Sequence, residues 1–94
     1  MTYKEERNAR CLKALEIIQG AADANEARMW LHLHGYILSG LSVFDERGLW
    51  VMYLAMDGVK VEFPTSYDML TVEYGKVEHY IREYGHAYRS TSST

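Results

Sequence analysis

The chain has 94 residues, of which 48% are hydrophobic and 24% are charged, with one proline and seven glycines. This composition is typical of a single folded domain and excludes a disordered chain. The formal net charge of −3 argues against a strongly basic nucleic-acid-binding protein, and it suits either solubility or a basic partner. A domain of this size has a modest core, so self-association as a homodimer would help to stabilise it.

The single cysteine, Cys11, excludes an internal disulfide and favours a reducing compartment. The N-terminal sequence MTYKEERNAR is too polar and charged for a signal peptide. No apolar run reaches the length of about 18 residues that a membrane-spanning helix needs. We therefore expect a cytoplasmic protein without membrane contact, with one domain over residues 1–89 and a polar tail over residues 90–94.

Two helices are predicted in the first part of the chain. The pairs Thr2 with Glu5 and Asp23 with Glu26 have the spacing of capping boxes, which mark helix starts. Apolar residues then recur at helical spacing, which predicts helices over about residues 3–19 and 24–38. A short connection between them favours an antiparallel helical hairpin.

Strand patterns follow the helices. Three strands are predicted, at residues 43–44, 49–56 and 59–63, with the sequence DERG and the pair Asp57-Gly58 as turns. The middle strand contains no charged residue, so both of its faces should be covered. The helical hairpin and the C-terminal helix can do this together, or a second subunit can cover one face.

The last part of the chain contains an ambiguous segment and a helix. Residues 65–74 suit either a helix or a fourth strand, whereas helical spacing resumes at Val77 and is predicted to stop at Gly85. The sequence thus predicts an α+β fold. In it, an N-terminal helical hairpin packs on a small antiparallel sheet of three or four strands, and a C-terminal helix closes the domain.

Tyrosines are the most distinctive residue type, since the chain has eight of them and only two phenylalanines. A tyrosine ring is apolar and its hydroxyl is polar, which suits protein interfaces. Three tyrosines lie four residues apart near the C-terminus, and they form either one side of the core or a recognition surface. The predicted partner-binding residues are Tyr80, Arg82, Tyr84, Tyr88 and Arg89, with a second protruding surface at Asp45, Glu46 and Arg47.

Motifs for catalysis and cofactor binding are missing from the sequence. Neither G-x-x-x-x-G-K-[ST] nor G-x-G-x-x-G occurs, and Cys11 is expected to be a buried, inert thiol. His32 and His34 point apart on the predicted helix, and the set His79, Glu83 and His86 is best interpreted as a solvated polar side. We therefore predict no catalytic residue, no metal and no cofactor.

Two other functions stay open. A DNA- or RNA-binding regulator would use a basic ridge on the first helix, and its affinity would fall steeply with salt. A small enzyme or ligand-binding protein would need a pocket, for which Trp30, His34 and Trp50 are the candidate lining residues. The ridge consists of Lys4, Arg7, Arg10 and Lys13.

In size and composition the chain resembles the small, acidic, single-domain accessory proteins that phages and mobile elements encode, anti-CRISPR inhibitors among them. That resemblance covers length and charge and no motif. It implies a protein that binds and inhibits or modulates a host macromolecular complex. We accordingly expect a non-enzymatic domain whose partner is a protein, with nucleic acid as the alternative.

Overall fold

The computed structural model describes residues 2–65 and 68–89, with the backbone alone for residues 86–89. The described residues form three α-helices and five β-strands, in an α+β fold with helix at both ends of the chain. A 3-10 turn, Tyr74–Lys76, connects the last strand to the last helix. The helices are α1 (Tyr3–Ile18), α2 (Ala24–Leu33) and α3 (Val77–Arg89), and the strands are β1 (Ile37–Ser39), β2 (Ser42–Phe44), β3 (Trp50–Leu54), β4 (Lys60–Pro64) and β5 (Met69–Glu73).

Both predicted helix starts are confirmed by side-chain caps. The Thr2 hydroxyl accepts a hydrogen bond from the Glu5 amide at 3.2 Å, and the Asp23 carboxylate accepts one from the Glu26 amide at 3.1 Å. The Glu26 carboxylate in turn accepts from the Ala22 amide at 2.7 Å. These contacts satisfy amides that a helix start otherwise leaves without a partner.

The second helix ends five residues earlier than predicted, because Gly35 terminates it. Gly35 has a φ of 85°, and its amide donates to the His32 carbonyl while the Tyr36 amide donates to the Leu31 carbonyl. This pair of bonds is the Schellman motif, in which a left-handed glycine follows the helix. The residues just after Gly35 are therefore free to form β1, which the sequence analysis had placed inside the helix.

The sheet is an antiparallel meander with strand order β1-β2-β3-β4-β5. The prediction of three or four strands was too low, for two reasons. The edge strand β1 was hidden in the helical pattern before residue 38, and the ambiguous segment forms β5, which pairs with β4 from Lys60–Glu73 to Pro64–Met69. A register shift between β2 and β3 leaves Val51 as an extra residue, a β-bulge.

The two predicted turns form hairpins. Gly48 and Gly58 have φ values of 83° and 76°, and each amide donates to the carbonyl three residues earlier, of Asp45 and Ala55 respectively. Only glycine adopts this backbone conformation without a steric cost. The first turn places Asp45 and its neighbours at one end of the sheet.

All three helices lie on one side of the sheet. Helix α1 packs on β3 and β4 and contacts α2 on one flank and α3 on the other, while α2 also contacts β1 and α3 contacts β5. A single core lies between the layers, and Leu15, Ile18, Met52 and Phe63 are fully buried in it. Of the two predicted ways to cover the middle strand, the one with the helical hairpin and the C-terminal helix on opposite faces does not occur, because α3 returns beside α1. Cover of one face by a second subunit stays a prediction.

Helix α3 continues to Arg89 and does not end at Gly85. Gly85 is buried, and α3 packs along α1. An interior glycine weakens a helix by about 1 kcal/mol relative to alanine. Burial of the apolar side of α3, with Val77 and Tyr80 in the core, outweighs this local preference.

Candidate interaction surfaces

The tyrosine stripe on α3 is divided between core and surface. Tyr80 is buried and its ring meets that of Phe63 edge-on at 4.9 Å. Tyr84 lies one turn later, its ring centroid 5.0 Å from that of Tyr80, and it is 52% exposed. Tyr80 therefore packs as a core residue, and Tyr84 can contact a partner without rearrangement.

The arginine predicted to flank this stripe is also available at the surface. The Arg82 guanidinium lies 3.4 Å from the Glu78 carboxylate in an exposed i, i+4 pair, an arrangement that contributes only about 0.3–0.5 kcal/mol. The side chains of Tyr88 and Arg89 lie outside the described residues, although their backbone belongs to α3. Within the described side chains, the predicted α3 surface thus reduces to Arg82 and Tyr84.

The turn predicted to protrude has a buried residue at its base. Asp45 is 5% exposed, and its carboxylate accepts hydrogen bonds from the amides of Arg47 and Leu49, both at 2.9 Å. The same carboxylate lies 3.9 Å from Arg10 Nε and 3.6 Å from Arg47 Nη2. Asp45 therefore organises the turn, and Glu46 and Arg47 are the residues exposed to a partner.

The basic ridge on α1 is only partly at the surface. The Arg7 guanidinium donates to the Thr65 carbonyl at 2.9 Å, and the Arg10 side chain is 13% exposed beside Asp45. Lys4 and Lys13 remain exposed. Two of the four cations thus hold α1 to the strand ends and turns, which weakens the case for a phosphate-binding surface.

A cluster of large apolar side chains lies on the side of the sheet opposite to the helices. Ile37 is the register partner of Phe44, and Phe44 is the partner of Trp50, so the three form a row across β1, β2 and β3. The Tyr53 ring lies 4.9 Å from that of Trp50. We call these four residues the aromatic face: Ile37, Phe44, Trp50 and Tyr53.

The orientation of the aromatic face follows from strand alternation. Val43 and Leu54 are buried in the core, so their neighbours Phe44 and Tyr53 point to the other side of the sheet. Ile37 is 48% exposed and Tyr53 is 41% exposed, whereas Phe44 and Trp50 are half-buried against their neighbours. The helices pack on the other side, where Val43, Val51 and Leu54 share one buried cluster with helix residues.

Polar residues border the aromatic face. Tyr53 has Ser42 as its register partner on β2 and Glu62 on β4, and Glu62 is followed by Thr71 on β5. An apolar centre with a polar border is the usual anatomy of a protein-binding surface. The sequence pattern did not indicate this cluster, because it favoured a helix at Ile37. The uncharged strand that carries Trp50 and Tyr53 did indicate a face that needs cover.

Pocket-lining residues proposed for an enzyme or ligand-binding protein are not brought together. Trp30 packs beside Gly20 on the helical side, and Trp50 lies on the opposite side of the sheet. The His34 Nδ1 atom lies 2.8 Å from the Trp30 carbonyl oxygen. Two open grooves, of about 360 and 260 Å³, are lined by other residues.

Metal-ligating residues are not clustered in the described part of the chain, where no group of three His, Cys, Asp or Glu residues is close enough to hold an ion. His79 and Glu83 face each other at 3.2 Å on the exposed side of α3. The third member of that predicted polar side, His86, has a side chain outside the described residues.

The buried titratable groups lie in the core. Burial raises the pKa of the Cys11 thiol well above its usual range, with a smaller opposing effect of Arg7, so the thiol is protonated and a poor nucleophile. Burial also raises the pKa of Tyr74 to about 12, and burial together with Glu46 and Asp45 raises that of Tyr36 to about 12. These shifts result from packing and do not identify a reactive group.

Comparison of the chain with protein-family models, curated proteins and solved structures finds no match. Among the described residues, no helix has the length and apolar character needed to cross a membrane. Among the described residues, the aromatic face joins four large apolar side chains on one side of the sheet, two of them exposed and two half-buried.

Proposed function

We propose that this chain is a non-catalytic protein-interaction domain and that the aromatic face is its contact surface. The observation that carries the proposal is the row Ile37–Phe44–Trp50, extended by Tyr53, on the side of the sheet opposite to the three described helices. Contiguous exposed apolar residues with a polar border mark interaction sites on soluble proteins. An alternative contact surface, Arg82 with Tyr84 on α3, contains one aromatic ring instead of three.

The residue types on the aromatic face suit strong binding. Tryptophan and tyrosine dominate the binding free energy of many interfaces, because their large rings bury much area at a low entropy cost. Here both rings already contact each other, and they are held three residues apart on the same paired strand. A partner would thus meet a surface that is largely ordered in advance, which lowers the cost of association.

Charge around the aromatic face selects the kind of partner. Glu62 lies directly beside Tyr53, and the chain as a whole carries a formal charge of −3. Complementary charges steer association and suppress wrong partners. We therefore infer a protein partner whose contacting surface has an apolar centre and a basic border, and we consider nucleic acid the less suitable partner.

The mode of action proposed from the overall character of the chain is inhibition or modulation of a larger complex. A small domain with one broad contact face can act by covering a functional surface of its target. This part of the proposal depends on the resemblance to phage-type accessory proteins, and it is tested by measuring the activity of the captured target with and without the domain.

The contact surface is tested with two tyrosine variants of similar exposure. Tyr53→Ala removes a ring from the aromatic face, and Tyr84→Ala removes one from α3. The wild type and both variants would be used to capture proteins from native cell extract treated with nuclease. For a central tyrosine, a loss of about 2 kcal/mol corresponds to an affinity loss of about 30-fold, which we expect for Tyr53→Ala and not for Tyr84→Ala.

The outcomes separate the competing functions. Retained affinity in Tyr53→Ala combined with a loss in Tyr84→Ala would move the site to α3. Binding that disappears after nuclease treatment of the wild-type sample would replace the protein partner with a nucleic acid. Circular dichroism of both variants would verify that each remains folded.

A further inference from the structure

The strand β5 forms one edge of the sheet, and its outward backbone groups are defined by its pairing with β4. The Tyr74 amide donates to the backbone carbonyl of Val59, and the Thr65 amide donates to the backbone carbonyl of Asp68. Asp68 and Tyr74 flank β5 and both have even numbers. Because every second residue of an antiparallel strand bonds to a given neighbour, the even-numbered residues of β5 bond to β4. The N–H and C=O groups of Met69, Thr71 and Glu73 therefore point away from the sheet.

Two of these six outward groups already have partners within the chain. The Met69 amide donates to the Asp68 carboxylate at 2.7 Å. Glu73 is the N-cap of the 3-10 turn, where a capping carbonyl accepts the first intrahelical bond. The groups left without a described partner are the N–H and C=O of Thr71, the C=O of Met69 and the N–H of Glu73.

We propose that β5 pairs with β5 of a second copy of this chain, antiparallel and about a two-fold axis at Thr71. In this register the two Thr71 residues exchange a pair of N–H···O=C bonds, and each Glu73 amide donates to the Met69 carbonyl of the other copy. Every unpaired outward group thereby gains a partner, while the Asp68 and 3-10 bonds remain intact. The edge is complementary to itself, which is what a two-fold interface requires.

Side chains in this register are also compatible. Thr71 faces Thr71, a favourable cross-strand pair, and Leu70 faces Val72. Met69 and Leu70 are 41% and 38% exposed, and both would lose water contact on pairing. No two like charges lie directly opposite, because Glu73 faces Met69 and is flanked in its own sheet by Lys60.

The edge formed by β5 lacks the features that normally keep edge strands apart. Soluble proteins protect such edges with lysine or proline, with bulges, or by keeping the strand short. Residues 69–73 contain neither lysine nor proline, and the strand pairs without a register shift. The opposite edge, β1, has only three residues, so β5 is the edge suited to self-association.

Pairing of the two edges would create one ten-stranded sheet from two five-stranded sheets. A two-fold axis that relates antiparallel neighbours is perpendicular to the sheet, so both aromatic faces would lie on the same side. The dimer would present two copies of the contact surface toward one target. This consequence depends on the proposed function, whereas the pairing itself does not.

The pairing is tested by substitution at Thr71, whose amide does not bond to β4. Thr71→Pro removes this outward donor and is compatible with an edge strand, and Thr71→Val keeps the donor and the branched side chain as a matched control. Contacts along one strand edge form a small interface, so we expect a dimer at the high micromolar concentrations suited to weak association. Sedimentation equilibrium should show dimers for wild type and Thr71→Val and a monomer for Thr71→Pro.

Other results would overturn the proposal. A wild-type chain that stays monomeric at submillimolar concentration would exclude it, as would a Thr71→Pro variant that is folded and still dimeric. If the proline variant does not fold, amide exchange on the wild type decides: the Thr71 and Glu73 amides must gain protection as concentration rises. Tyr53→Ala should leave the dimer intact. A result against partner binding by the aromatic face can therefore be distinguished from a result against dimerisation through β5.

Discussion

Single polar residues that look like surface groups in the sequence have internal structural roles. Arg7 bonds to the backbone after β4, and Arg10 lies beside the buried Asp45. Asp45 itself binds two amides of its own turn. A buried charge is tolerated only with such partners, so the loss of one partner is costly even where the pair as a whole contributes little.

Asp45→Ala should therefore destabilise the domain substantially. The substitution leaves the Arg47 and Leu49 amides without their acceptor and the Arg10 side chain without its counter-charge. We expect a loss of about 3 kcal/mol in the free energy of unfolding, measured by urea denaturation. The neighbour Glu46 is exposed, and Glu46→Ala should stay within about 0.5 kcal/mol of wild type. Equal stability of the two variants would contradict the structural role of Asp45.

At the scale of elements, local backbone geometry decided where the second helix ends. The apolar spacing after Asp23 runs on to Leu38, and it is compatible with a longer helix. Gly35 adopts a left-handed conformation and closes the helix with two backbone bonds, so the following residues turn back as β1. The gain of a fifth strand, and with it Ile37 on the aromatic face, depends on this one glycine.

Gly35→Ala tests that role. A Cβ atom added at Gly35 would meet no other atom within 4 Å, so the cost of the substitution arises from the φ of 85° alone. A non-glycine residue in this conformation costs about 1–2 kcal/mol. Gly75 also has free space around it, without a left-handed φ, and Gly75→Ala should not destabilise the domain. Thermal unfolding of both variants would measure the difference, and a neutral Gly35→Ala would show that the helix ends for another reason.

At the scale of the whole molecule, one layer of helices covers one side of a sheet. Tyr74 is fully buried in this core, and its hydroxyl has no hydrogen-bond partner among the described residues. Tyr36 is also buried, close to Asp45 and Glu46. Ionisation of either phenol would place a charge in the core, so the folded state holds both in the neutral form.

Stability should consequently fall at high pH. The pKa of Tyr36 and of Tyr74 is about 12 in the folded chain, against 10.0 for an ordinary tyrosine. Below about pH 10 the two hydroxyls are protonated in both the folded and the unfolded chain, so the free energy of unfolding has its full value. As the pH rises toward about 12, the tyrosines of the unfolded chain ionise first, and the free energy of unfolding falls. Urea denaturation across this pH range would measure the effect.

Tyr74→Phe should reduce the fall in the free energy of unfolding at high pH. The substitution keeps the ring and removes the titrating hydroxyl, which is also an unpaired polar group in the core. We expect a gain in stability of about 1 kcal/mol near neutral pH. Tyr84→Phe at the exposed position should change neither property, and an unchanged pH dependence in Tyr74→Phe would contradict the assignment.

The sequence by itself determined the α+β class, both helix caps, the two glycine turns and the strands that carry Trp50 and Phe63. These features depend on contacts between residues close in the chain, such as Thr2 with Glu5, or on the alternation of a strand. Only the tertiary structure decided that α3 returns beside α1, that Tyr80 is core and Tyr84 surface, and that Phe44, Trp50 and Tyr53 are left uncovered. Burial is a property of distant elements packing together, and a local pattern shows that a face needs cover without showing what covers it.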